Sequence, residues 1–158
     1  MRHISALVLF VACMSFAASR AQAHCQLPCG VYDDAARFTA MQEHATTIAK
    51  CISVITTDGT TTNQMVRAVN VKDEHADKVA EIVTYYFLTQ RIKAADAADA
   101  AATAAYQQKL ALCHAILVAA MKCKQGTDPA SVETLRAAIS AFEAAYMPKD
   151  HGDHGHAH

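Results

Sequence analysis

An all-α fold, a four-helix bundle preceded by a short N-terminal segment, follows from three features of this 158-residue chain. Five Gly, three Pro and no Trp accompany long runs of Ala, Leu, Val, Lys and Glu, a composition that favours helices over sandwiches or barrels. Four stretches carry apolar residues at three- and four-residue steps. Between them stand Asp58-Gly59 and Gln125-Gly126-Thr127-Asp128-Pro129, turn signals strong enough to end one helix and start another. With 53% of residues apolar, one sizeable core is within reach. The near-zero formal charge argues against a nucleic-acid partner.

Residues 1–23 read as a secretory signal peptide. Arg2 and His3 precede an apolar run from Ile4 to Ala18, and the small-residue site Ala21-Gln22-Ala23 follows. The run is shorter than the roughly 20 residues a membrane span needs. Cleavage after Ala23 would leave a chain exported to the periplasm or the extracellular space, with no membrane attachment. That mature chain has twelve Lys and Arg against fifteen Asp and Glu, a formal charge of −3, so any attraction for an anion must be local.

The helices are expected in one unit, residues 33–148. The first runs from about Asp33 to Thr57, with Phe38, Met41, Ala45, Ile48, Ile52 and Ile55 facing inward. The second begins near Thr61 or Thr62 and continues to about Lys93, carrying Met65, Val69, Val79, Ile82, Tyr86 and Leu88. Its phase is irregular at Asn70 to Lys72, where a kink is expected. Ala94 to Ala105 is nearly pure Ala and leads into the third helix, whose stripe is Leu110, Cys113, Leu117 and Met121. In the turn that follows, Gly126 suits a C-cap, Asp128 an N-cap and Pro129 the first helical position. The fourth helix, to about Met147, turns Val132, Leu135, Ile139 and Phe142 inward. Residues 149–158 form a flexible, His-rich tail, either a solvated end or a store of transition metal.

Directly after the expected cleavage site stands His24-Cys25-Gln26-Leu27-Pro28-Cys29-Gly30-Val31-Tyr32. Two thiolates with nitrogen donors make a small planar set that suits Ni(II) or Cu(II) better than zinc. A free α-amine, with an ordinary pKa of about 7.7 to 8.0, loses its proton to a metal at little cost. Pro28 would fix the turn returning Cys29 toward Cys25, and Gly30 would let the chain leave it.

Residues 24–32 resemble the nickel hook of the nickel superoxide dismutases, whose mature chains begin His-Cys-x-x-Pro-Cys-Gly-x-Tyr; all six fixed positions match. Tyr86-Phe87 and Gly126-Thr127-Asp128-Pro129-Ala130 extend the likeness more loosely. The resemblance implies a nickel ion held by the His24 amine and imidazole, the Cys25 amide nitrogen and the thiolates of Cys25 and Cys29. It implies that Tyr32 stands beside the open face and orients the anion, and that superoxide is disproportionated to dioxygen and hydrogen peroxide through a Ni(III)/Ni(II) couple. It also implies a homohexamer. An exported nickel- or copper-binding protein without turnover is the alternative.

The chain departs from that family in three places. Gln26 replaces the usual Asp. The first-helix Glu that helps hold the axial histidine falls at Thr39 or Ala40, and the second-helix Arg falls at His75. His75 is therefore either a support for the His24 ring or a surface helix residue. Cys51, Cys113 and Cys123 lie on helices, and whether two of them form a disulfide is left open.

Overall fold

The computed structural model describes residues 26–147. The signal peptide, His24, Cys25 and the His-rich tail lie outside these residues. Four helices follow: α1 (Asp34–Thr56), α2 (Thr62–Glu81), α3 (Ala100–Gln125) and α4 (Pro129–Tyr146). A π-helical segment, Ile82–Arg91, continues α2 without a break. The described residues contain no strand, and none of their helices is long and apolar enough to cross a membrane.

Each helix starts where a side chain can satisfy its first amides. Asp33, Asp99 and Asp128 accept from backbone N–H groups two or three residues on, while Thr61 and Gln64 form a reciprocal capping box. Pro129 occupies the first turn of α4, where its missing N–H costs nothing. Gly59, at φ +78°, makes the turn between α1 and α2 in a backbone region that side chains resist.

The helices pack as a ring in which α1 touches α2 and α4, and α3 touches the same two. Gln42 meets Arg136 and Ser140 across α1 and α4, and Lys72 and Asp77 meet the end of α3, contacts that mark antiparallel neighbours. The core joins Phe38, Met41, Ile48 and Ile52 of α1 to Val79 and Val83, Ile116 of α3, and Val132, Leu135, Ile139 and Phe142 of α4. At one end four rings, Phe38, Phe87, Phe142 and Tyr146, cluster with centroids 4.9 to 5.9 Å apart. This aromatic floor lies beneath the first turn of α1.

Three expectations are corrected. The helix is unbroken at Asn70 to Lys72, because Lys72 is drawn inward to the end of α3 and absorbs the polar interruption; the irregularity comes at Ile82–Arg91 instead. Met65 and Val69 are exposed, since the hairpin end of α1 and α2 carries them clear of α3. The α3 stripe is Cys113, Ile116, Ala119, Ala120 and Cys123, with Leu110 and Leu117 half-buried and Met121 exposed. Apart from Ile116, the fully buried positions of that stripe are small side chains, Cys and Ala. Residues 94–99 remain outside α3, and the last of them, Asp99, caps it.

Candidate metal centre

The described part of the hook, Gln26 to Tyr32, is an irregular stretch ahead of α1. Gly30 takes φ +79° with open space around it, so this position favours glycine for its backbone angle, not for crowding. Cys29 is exposed. The other described cysteines differ sharply: Cys51, Cys113 and Cys123 are buried free thiols, which closes the disulfide question among them. Burial pushes the thiol of Cys113 up to about 12 and raises Cys51 and Cys123 as well. Thiols that resist ionisation are poor metal ligands. Among the described residues, only the hook presents a thiol suited to a metal, so the donor set fits a thiolate-bound ion at that turn.

Tyr32 is 38% exposed and held on three sides. Its ring meets Tyr86 edge-on at 5.7 Å, the Arg91 guanidinium lies 4.5 Å above it, and its hydroxyl donates to Gln90 Oε1 over a long 3.4 Å. The Gln90 side-chain amide is itself tied back to the Tyr85 carbonyl at 2.8 Å, within the π-helical segment. The wide turn thus places Tyr86, Gln90 and Arg91 together against the hook.

Asp34 anchors this group. Its carboxylate accepts from Arg91 Nε and Nη2, from Tyr86 at 2.6 Å and from Tyr146 at 3.1 Å. It stands in the first turn of α1, where the helix dipole favours negative charge. Burial pushes its pKa up, but the bonds from Arg91, Tyr86 and Tyr146 outweigh that and hold it below its ordinary value. Burial first, then the bond to Asp34, raise Tyr86 far above the usual phenol range against a smaller opposing pull from Arg91 and Arg37, so it stays protonated.

Beside the hook lies an open cleft of about 230 Å³ lined by Gln26, Leu27 and Pro28 on one side and Arg37, Glu81, Ile82, Tyr85 and Tyr86 on the other. Thr39, Ala40 and His75 are not among the residues that line this cleft. Thr39 lines a separate groove with Gln42 and Glu143 and bonds its own helix, and Ala40 offers no polar group. His75 instead meets His44 across α1 and α2, with the two Nδ1 atoms 3.0 Å apart. It lies about 9 Å along the helix from Glu81.

Asp34, Arg37, Gln90 and Arg91 were missed as site residues by sequence reasoning. Asp34 reads as half of an Asp-Asp helix start, and its partners are 52 to 112 residues away. Nothing in the local sequence marked Ile82–Arg91 as leaving the regular helical period.

Among the described residues the bundle buries three thiols in its core and leaves a fourth exposed on the N-terminal turn, the arrangement of a helical protein suited to hold a metal outside its core. The sequence model of the nickel-containing superoxide dismutases matches residues 19–150, and the chain belongs to that family. It is a nickel-dependent oxidoreductase that disproportionates superoxide to dioxygen and hydrogen peroxide. No curated protein and no solved structure matches the chain.

Proposed function

We propose that His24, Cys25 and Cys29 are the residues that hold the nickel ion, with Tyr32 as the group that meets the substrate. The observation carrying this reading is the contrast in thiols: Cys29 is exposed on the glycine-released turn, while the other three described thiols are buried. The bound ion supplies one-electron exchange between two superoxide anions through the Ni(III)/Ni(II) couple. The chain's own residues do the rest. Tyr32, pinned by Arg91 and Tyr86, offers a hydroxyl at the edge of the hook that can orient a small anion by a hydrogen bond. The Tyr86 phenol keeps its proton and is committed to Asp34, so it serves as a support and not as a proton source.

The same reading includes cleavage between Ala23 and His24 and export of the mature chain, for which the Arg2 to Ala23 layout is the support. It includes self-association to a hexamer. Val54, Met65, Val66, Val69 and Val71 are exposed apolar side chains that association would cover, and sedimentation of the mature protein measures the state directly.

The decisive experiment is Cys29→Ser or Cys25→Ser. Either change should abolish nickel binding and superoxide removal while helicity by circular dichroism stays near wild type, because the hook contributes little to the core. Full activity in either variant would overturn the assignment.

A further inference from the structure

Two guanidinium groups flank the hook, and their surroundings differ. Arg91 is neutralised by a bidentate bond to Asp34. Arg37 makes no ion pair among the described residues; its guanidinium rests on the face of Tyr86, with Cζ 5.0 Å from the ring centroid. Its Nε is buried without any hydrogen-bond partner. An aromatic face holds a cation in place without consuming its charge or its N–H donors, which a carboxylate would do. Buried donors are ordinarily satisfied, so an orphaned one on a cleft wall needs a reason.

The cleft supplies one. Among the described residues of its lining, Arg37 is the only cation and Glu81 the only acid, and Gln26 opposite is a neutral amide. The mature chain is net acidic, so an anionic substrate gains nothing from the overall field and must be drawn locally. We propose that the cleft between Gln26–Pro28 and α1 is a binding site for small monovalent anions, and that Arg37 receives superoxide there on its way to the metal-bearing turn. Glu81 opposes it and sets an upper limit on the attraction. Tyr86 fixes the Arg37 position, while Asp34, by occupying Arg91, leaves Arg37 as the unspent charge.

This inference rests on the hook being the metal site, and the experiment separates the two. Nickel-loaded protein beginning at His24 is compared with its Arg37→Gln, Arg37→Lys, Glu81→Gln and Cys29→Ser variants. Superoxide decay is followed across ionic strength, with azide as the competing anion. Arg37→Gln should lower the second-order rate about 3- to 10-fold at low salt, flatten its salt dependence and weaken azide inhibition, at unchanged nickel content and helicity. Arg37→Lys should retain most of the rate, and Glu81→Gln should raise it. An unchanged rate and salt slope in Arg37→Gln, with Cys29→Ser inactive, would overturn the role of Arg37 alone. Loss of nickel or helicity in both Arg37 variants would overturn it too, by making the residue a packing element. An active Cys29→Ser would instead overturn the hook.

Discussion

At the scale of single residues, two charges are set by what surrounds them. Asp34 accepts four bonds, and its depressed pKa means that the folded state favours the carboxylate. The stability this contributes is present above its ordinary pKa near 3.8 and is lost as pH falls through the lower folded value. Asp34→Asn keeps the shape but gives up the charge, and should cost roughly 2 kcal/mol, the range for hydrogen bonds to charged groups. Thermal denaturation at neutral pH measures this, and a Tm equal to wild type would show that the four bonds contribute nothing net. His44 behaves with the same sign. Burial first, then His75 and Lys78, lower its pKa, against a smaller opposing pull from Glu43. Neutral His44 therefore contributes stability above about pH 6.5 that is lost as pH falls below it. His44→Gln should flatten the dependence of Tm on pH between 7 and 5, and an unaltered slope would remove His44 from that dependence.

At the scale of elements, α2 and its π-helical continuation carry the features that matter. Lys72 is 2% exposed, yet its ammonium is satisfied by Asp73 and by the carbonyls of Cys123 and Lys124. It closes the C-terminus of α3, where the dipole favours positive charge and the last carbonyls lack helical partners. Lys72→Met would fit the space but leave those carbonyls and Asp73 without their donor. The expected loss is roughly 1 to 3 kcal/mol, read as a lower urea midpoint with the denaturant slope unchanged. A midpoint equal to wild type would mean that water replaces the ammonium at no cost. The π-helical segment serves both the core and the site. By shifting phase it buries Val83, Tyr86 and Phe87 while presenting Gln90 and Arg91 to Tyr32.

At the scale of the whole molecule, the bundle and the hook are separable in energy. The core is built from the four helices, and the described hook residues are exposed apart from the half-buried Pro28. Folding should therefore not depend on processing, whereas activity should. A chain with Ala23 retained offers an amide where one beginning at His24 would have a free amine, and an amide that keeps its proton is a weak donor. The expected outcome is a folded but inactive protein even with excess nickel, against activity regained when the chain begins at His24. Intact mass, circular dichroism and superoxide decay on both forms check this. Equal nickel-dependent activity would take the terminal amine out of the site.

The chain alone determined whatever depends on near neighbours. Periodic apolar steps placed α1 and α4 almost to the residue, Asp128 marked the start of α4 as its cap, and Gly59 and Gly126-Thr127-Asp128-Pro129 marked the turns. The hook was readable for the same reason, since its donors lie within nine consecutive residues. The tertiary structure decided what joins distant segments: Lys72 at the end of α3, His75 against His44, Asp34 gathering Tyr86, Arg91 and Tyr146, and Arg37 left unpaired on Tyr86. A residue's preference for a helix is a property of its immediate backbone. The partner of a charge is chosen by which side chains the packed helices bring within about 3 Å, a geometry that exists only once the core has formed.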